Sequence, residues 1–275
     1  MENTLEFLLP SGLPCTIRMQ NGEDEELLSS IRLNKAGNHI NAFLCNIVVD
    51  LFGKGKPKLQ DIIDMRLSDK YYLLIQSRVF SLGAEMEFEY QWDKKTEPVH
   101  YTEDLNNYLF DYSKPFPATP EDEGYNEYHI KPFPATGEVH DYNFIYFQME
   151  GKNFRLRMPD GRLEHYLMEL GDDINSNSLL KGRELAQEFN GSYVPVTSFK
   201  QFTPRDMAFL RKVMADFDDG NSTISTKIVN PYNPDEELDI PLIQLEDFLS
   251  PRLTSRLIFY SYPSTMLTWE VLKTF

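Results

Sequence analysis

Part of this sequence occurs twice, and the repetition limits the folds that the chain can adopt. Residues 12–28 reappear as residues 151–167 at a constant offset of 139, with six identical positions. The identical pairs are Gly12 and Gly151, Arg18 and Arg157, Met19 and Met158, Gly22 and Gly161, Glu25 and Glu164, and Leu28 and Leu167. At an offset of 137, Asp69, Leu73, Phe80 and Gly83 then align with Asp206, Leu210, Phe217 and Gly220. Two blocks in the same order and at nearly equal offsets predict two modules of similar design.

Both copies predict the same succession of elements. Alternating apolar residues around turn sequences favour an opening β-hairpin, in which the repeated glycines are expected to serve the turns. Helical spacing over residues 38–52 predicts a helix closed by Gly53, and residues 68–83 and 203–220 predict a pair of corresponding helices. Turn sequences at residues 93–95 and 230–235 predict a closing β-hairpin in each copy. The fold class is therefore predicted to be α+β, with modules that run hairpin, helices, hairpin.

The chain is predicted to divide into four parts. The first repeat module covers residues 1–112 and the second covers residues 139–252. Residues 113–138 form a proline-rich connector between them, and residues 253–275 form a C-terminal extension with a short helix. The hexapeptide Lys-Pro-Phe-Pro-Ala-Thr occurs twice in the connector, at residues 114–119 and 131–136. Alternating prolines exclude a helix, so we expect an extended arm that projects from the core, as a solvated linker or as a docking arm.

Charge and composition restrict the partners of the chain. Its 275 residues include 27 Lys and Arg against 43 Asp and Glu, a formal net charge of -16 that disfavours binding to nucleic acid. The two cysteines, Cys15 and Cys45, form no metal-ligand pattern, so neither a zinc site nor a disulfide framework is predicted. Neither a signal peptide nor a membrane span is predicted, and the expected setting is the cytoplasm.

No sequence motif predicts catalysis. The five histidines are scattered, and the nucleophile elbow, the phosphate-binding loop and the dinucleotide fingerprint are missing from the sequence. Adjacent acids such as Asp172 and Asp173 leave open a hydrolase that uses paired carboxylates, although a solvated acidic face is the better explanation in a chain this rich in acids. We therefore expect a protein that is not an enzyme and that has no cofactor and no metal.

Several segments resemble a known family. They are the opening Leu9-Pro10-Ser11-Gly12 with its acidic helix, residues 69–83, residues 206–214, the hairpin at residues 230–235 and the run 240–251. Together they resemble the baseplate hub and hub-assembly proteins of T-even-like contractile phage tails. The resemblance implies a structural or assembly role in the tail baseplate, with other baseplate or tail proteins as partners and assembly in the host cytoplasm. It leaves open an assembly chaperone that the mature particle lacks.

The closing hairpins depart from that family. Its members often carry cysteine pairs there that form zinc knuckles, whereas residues 90–93 and 230–233 of this chain contain none. The resemblance therefore implies hairpins held by aromatic packing and turns instead of metal. Aromatic side chains also dominate protein interfaces. The candidate partner-binding residues are Phe116, Phe133, Trp92, Tyr232 and Trp269. For Trp92 and Tyr232, stabilising their own hairpin is an equally good explanation.

Overall fold

The computed structural model describes residues 3–132, 142–171, 173–218, 224–242 and 248–249. The helices are α1 (Gly22–Ser29), α2 (Ile31–Lys35), α3 (His39–Ile47), α4 (Leu59–Ile63), α5 (Leu67–Leu82), α6 (Gly161–Leu170), α7 (Ser176–Gly182) and α8 (Pro204–Asp218). The strands are β1 (Thr4–Leu8), β2 (Pro14–Arg18), β3 (Val48–Leu51), β4 (Glu85–Tyr90), β5 (Val99–Asp104), β6 (Phe144–Met149), β7 (Lys152–Arg157), β8 (Ala186–Phe189), β9 (Ser192–Pro195), β10 (Ser225–Asn230) and β11 (Asn233–Pro241). The fold is a mixture of helix and sheet, as the sequence predicted.

The strands pair in four antiparallel groups. The order is β1-β2-β3 in a three-stranded sheet and β6-β7-β8-β9 in a four-stranded sheet, while β4-β5 and β10-β11 are separate hairpins. The hairpins predicted at residues 93–95 and 230–235 are therefore present. Gly12 and Gly151 have positive φ angles of 78° and 74°, a backbone conformation that glycine adopts without strain, so both serve turns as expected.

Two hydrophobic clusters hold these elements together. The first cluster is built mainly from β2, α3 and α5, with Ile17, Phe43 and Leu74 fully buried. The second cluster lies among β6, β7, α6, α7 and α8, and its central residues include Leu156 and Leu180. Ile228, Leu238 and Ile240 of the β10-β11 hairpin pack in or against the first cluster. The hairpin that ends the second predicted module therefore stabilises the core of the first.

The predicted helix over residues 38–52 is wrong in its C-terminal part. Helix α3 ends at Ile47, and the next four residues form β3, which pairs with β2 through Ile17 and Val48 and through Cys15 and Leu51. Val48 and Val49 are β-branched and fit a strand better than a helix. Pairing with β2 buries Val48 and Leu51, and this tertiary contact outweighs the helical spacing of the apolar residues.

The described part of the proline-rich segment does not project from the core, which corrects the expectation for residues 113–132. Ile130 is buried in the first cluster, and its carbonyl accepts a hydrogen bond from Tyr112. Tyr128 packs on Tyr108, with ring centroids 5.1 Å apart. The segment has no helix or strand, in agreement with its prolines. Its aromatic side chains nevertheless bury enough apolar surface to fix it against the first cluster.

Candidate functional site

Trp92, a predicted partner-binding residue, joins the two closing hairpins inside this chain. Its ring is half-buried against the first cluster, and its Nε1 donates a hydrogen bond of 2.7 Å to the hydroxyl of Tyr101. That hydroxyl in turn donates to the carbonyl of Val229 over 3.0 Å. The relay runs from the β4-β5 hairpin to the β10-β11 hairpin. In this structure Trp92 therefore supports the packing of the hairpins.

The two hairpins meet along β5 and β10. Tyr108, just after β5, donates from its hydroxyl to the carbonyl of Ser225 over 3.2 Å. The hydroxyl of Thr226 donates to a carboxylate oxygen of Glu103. Each of these bonds pairs a side chain with a group on the other hairpin. Hydrogen bonding and aromatic packing therefore hold the closing hairpins together.

Tyr232 and Phe116 lie in different surroundings. Tyr232 lies at the tip of the β10-β11 hairpin and is 59% exposed. Phe116 packs inside an aromatic group of the same chain, with its ring centroid 5.1 Å from that of Phe110 and 6.3 Å from that of Tyr112. The structure therefore leaves Tyr232 open to a partner and covers part of Phe116. Phe133 and Trp269 lie outside the described residues.

A polar junction, which the sequence did not reveal, joins the N-terminal ends of α5 and α6. It consists of Asp64, Arg66, Asp69, Lys70, Tyr142, Asp160, Arg162 and Glu164. The backbone N–H of Leu67, at the start of α5, donates to the carbonyl of Pro159 over 2.9 Å. Arg66 and Asp160 form an isolated β-bridge beside it. The free N–H groups of a helix start need acceptors, and here the other half of the chain supplies one of them.

Asp69 lies at the centre of the polar junction. It is fully buried, and its two carboxylate oxygens accept from the backbone N–H of Ser11 at 3.0 Å and from the hydroxyl of Tyr142 at 2.7 Å. Arg66 donates from Nε to the carbonyl of Tyr142 over 2.5 Å, and its guanidinium carbon lies 4.4 Å from the centre of that ring. The Asp69 carboxylate therefore ties the turn between β1 and β2 to the start of α5 and to Tyr142, two residues before β6.

Two ion pairs flank this carboxylate. Lys70, whose side chain is 3% exposed, contacts Glu164 over 2.6 Å, and the hydroxyl of Tyr71 donates to the same carboxylate over 2.9 Å. Arg162 binds Asp64 with two hydrogen bonds of 2.7 Å, one to each carboxylate oxygen. A bidentate pair fixes the relative orientation of its partners as well as their distance. Both ion pairs connect the α4–α5 region to α6.

Burial and bonding shift the carboxyl groups of the junction in opposite directions. Burial raises the pKa of Asp69, against the hydrogen bonds from Tyr142 and Ser11 and the charge of Arg66. Burial also acts to raise the pKa of Asp64, but the hydrogen bonds from Arg162 and Gln60 outweigh it and lower that pKa. Since the Lys70–Glu164 and Asp64–Arg162 pairs and the bonds of Tyr142 cross between the two halves, the arrangement is suited to joining the α4–α5 region to α6.

The close approach of the two helices explains a glycine that the sequence assigned to a turn. Gly161 is the first residue of α6, and a Cβ atom there would lie 2.8 Å from the carbonyl oxygen of Ile63 and 3.0 Å from Nζ of Lys70. Gly22, its aligned residue, begins α1, where a Cβ would meet nothing within 4 Å. The assignment of Gly22 and Gly161 to turns is therefore wrong, because each begins a helix without a positive φ. Gly161 has in addition to be small for the junction to close.

Comparisons with family models, curated proteins and solved structures find no match to this chain. Within the described ranges, no three potential metal-ligating side chains come together as a metal site. None of the helices in those ranges is long and apolar enough to cross a membrane.

Proposed function

We propose that this protein is a non-enzymatic structural or assembly component that binds neighbouring proteins of a larger particle. The observation that carries the proposal is the polar junction, because its charged side chains bind one another between the two halves. A polar network that is fully satisfied internally stiffens a structure. A rigid body of this kind is suited to presenting fixed surfaces to partners.

We further propose that the two halves derive from one duplicated design. Gly12 and Gly151 adopt the same positive φ in their aligned turns. Leu73 and Leu210, which align at an offset of 137, are each fully buried, the first in the first cluster and the second in the second cluster. These similarities support paired modules that contact related partners, although the contacts themselves need not be equal.

The particle that we propose is a contractile phage tail with its baseplate, on the basis of the sequence resemblance alone. The net charge of -16 favours proteins over nucleic acid as partners. The exposed Tyr232 supports a contact at the tip of the β10-β11 hairpin, because tyrosines that a partner covers on binding are frequent among the residues that contribute most to affinity. Phe133 of the proline-rich segment remains a candidate partner-binding residue on the basis of the sequence, and it lies outside the described residues.

Quantitative mass spectrometry of purified particles tests the proposal. Particles from the source of the protein are compared with the whole lysate, and a host protein of similar abundance measures carry-over. A few copies per particle, in constant ratio to known tail proteins, are the expected result. Abundance in the lysate with none in the particle would leave a departing assembly chaperone or an unrelated protein, and only the chaperone would make assembly fail when its gene is deleted. Two results would refute the proposal. One is a particle that contains no tail proteins, and the other is a protein that is present only at the carry-over level and whose gene can be deleted without effect on assembly.

A further inference from the structure

The four-stranded sheet has an aromatic face that belongs to neither hydrophobic cluster. Along β6, Ile145 and Met149 point into the second cluster, so Phe144 and Tyr146 lie on the other side. Tyr193 of β9 lies on the same side as Tyr146, and the centroids of the two rings are 5.5 Å apart. None of these three aromatic residues packs in the cores. We call this surface, formed by Phe144, Tyr146, Arg155 and Tyr193, the Arg155 face.

Arg155 lies across these rings. Its guanidinium carbon is 4.3 Å from the centre of the Phe144 ring and 5.1 Å from the centre of the Tyr193 ring. Its Nε is buried and has no hydrogen-bond partner. Within the described ranges, no salt bridge or hydrogen bond joins this guanidinium to an acceptor. Stacking fixes the plane of the group, and its donors at the edge remain available for a planar acceptor.

The other charged groups on this side of the sheet have bonded partners, whereas the guanidinium of Arg155 has none within the described residues. Arg157, the next arginine on the same side of β7, pairs with Glu184 over 3.0 Å and with Asp160 over 3.4 Å. Glu188, on the same side of β8, accepts a hydrogen bond from Asn153 over 2.6 Å. Glu188 therefore keeps its negative charge near Arg155 without bonding to it. A carboxylate is the planar acceptor that matches the unbonded donors of the Arg155 guanidinium.

The hairpin itself does not require these residues. Thr16 aligns with Arg155 at the offset of 139, and it pairs across the strands with Glu6, whereas Arg155 pairs with Tyr146. Both hairpins form with the same antiparallel pairing although one carries a glutamate and a threonine at these outward positions. A structural requirement of the strand pairing therefore does not account for the arginine and the tyrosine of the second hairpin.

We propose that the Arg155 face binds an acidic segment of a partner protein, with the guanidinium donating two hydrogen bonds to a carboxylate. The half-exposed rings of Tyr146 and Tyr193 then pack against the apolar part of the same segment, while the buried ring of Phe144 supports the guanidinium from below. This inference rests on the proposed function, and it names the surface and the chemistry of one partner. Arginine and tyrosine in a common patch are typical of the residues that contribute most to protein binding. Single-stranded nucleic acid also stacks on aromatic rings, and the test therefore includes it as a competing ligand.

Binding of the full-length protein to labelled decapeptides tests this proposal. The peptides contain one tyrosine and from zero to four glutamates, and binding is measured by fluorescence anisotropy at 0.15 M salt. We expect the affinity to rise with the number of glutamates, and Arg155→Ala to lower it by about tenfold or more. Arg155→Lys should lower it less, because lysine keeps the charge but loses the planar fork. Lys152→Ala, which removes an exposed positive charge from the same hairpin, should change it less than about twofold.

Several results would overturn the inference. Affinity that does not depend on the number of glutamates would do so, as would Arg155→Ala binding as tightly as the unsubstituted protein. Tighter binding of a ten-residue thymidine oligonucleotide than of the acidic peptides would assign the face to nucleic acid instead. The particle measurement separates this inference from the proposed function. A protein present in particles whose Arg155 face fails to bind acids retains the proposed function and loses only this surface.

Discussion

Replacing Gly161 by alanine should open the polar junction. The new Cβ atom would lie 2.8 Å from the carbonyl oxygen of Ile63, which is closer than real Cβ contacts come. That oxygen belongs to the backbone, so it cannot rotate away as a side chain can. The second neighbour, Nζ of Lys70 at 3.0 Å, is held in its ion pair with Glu164. Helix α6 therefore has to move by several tenths of an ångström away from α4 and α5.

Two terms of opposite sign set the size of the effect. Overfilling a well-packed site costs about 1–3 kcal/mol in the free energy of unfolding. Alanine in place of glycine in a helix returns up to about 1 kcal/mol, and less at the first position of the helix than in its interior. Because the backbone oxygen cannot move independently, the steric term should prevail. We expect the free energy of unfolding to fall by about 1–2 kcal/mol.

The aligned glycine supplies the control for this experiment. Gly22→Ala makes the same chemical change at the first residue of α1, where a Cβ has open space around it. Urea unfolding of both variants should show a lower midpoint for Gly161→Ala only, and Gly22→Ala should be neutral or slightly stabilising. Equal stability of the Gly161→Ala variant and the unsubstituted protein would refute the close approach. Equal losses in both variants would assign the effect to helix starts in general.

Three further perturbations give measurable results. Tyr101→Phe removes the hydroxyl that accepts from Trp92, and urea unfolding should show a free energy of unfolding lower by about 1–2 kcal/mol. The double variant with Trp92→Phe should lose less than the sum of the two single losses, and full additivity would contradict the relay. Tyr142→Phe removes a hydrogen bond to the buried Asp69 and should cost about 1.5–3 kcal/mol at neutral pH; an unchanged midpoint would show that the bond is absent. For Asp24, burial acts to raise the pKa, but hydrogen bonds from Arg18, the backbone N–H of Asn21 and the side chain of Asn46 outweigh it and lower the pKa. The contribution of its carboxylate to the free energy of unfolding is therefore complete above about pH 4 and is lost as the pH falls through the lowered pKa. The stability difference between the unsubstituted protein and Asp24→Asn should therefore be constant from pH 7 to 5 and shrink below about pH 4, and a difference that grows on acidification would reverse the sign of this argument.

Local signals in the sequence predicted the elements that depend on local chemistry. The hairpin at residues 230–235 follows from turn-forming residues between two alternating runs. The α+β class follows from the mixture of periodicities along the chain. Strand β3 was missed because its apolar residues also fit the helical spacing that starts at Ile40. Only its pairing with β2, a strand more than thirty positions earlier in the sequence, decides between the two.

The polar junction could not be predicted because its partners are far apart in the sequence. Lys70 and Glu164 are separated by 94 positions, and Asp64 and Arg162 by 98 positions. Each of these residues taken alone is typical of a solvated surface, and the acidic composition of the chain makes that explanation the simplest one. Asp69, Gly161 and Glu164 of the junction are identical positions of the repeat, but the repeat does not indicate what they contact. The need for a glycine at position 161 follows only from the position of Ile63 beside it.

The junction also shows why two halves of common design need not bind partners in the same way. Glu25 and Glu164 are identical residues of the repeat, yet Glu25 is exposed on α1 while Glu164 accepts from Lys70 and Tyr71. The start of α6 lies against Ile63 of α4 and Lys70 of α5, so a partner cannot approach it without displacing the ion pair of Lys70 and Glu164. The start of α1 has no such neighbour at Gly22 and remains accessible. A partner that recognises the common surface of the repeat should therefore bind the first half and be excluded from the second.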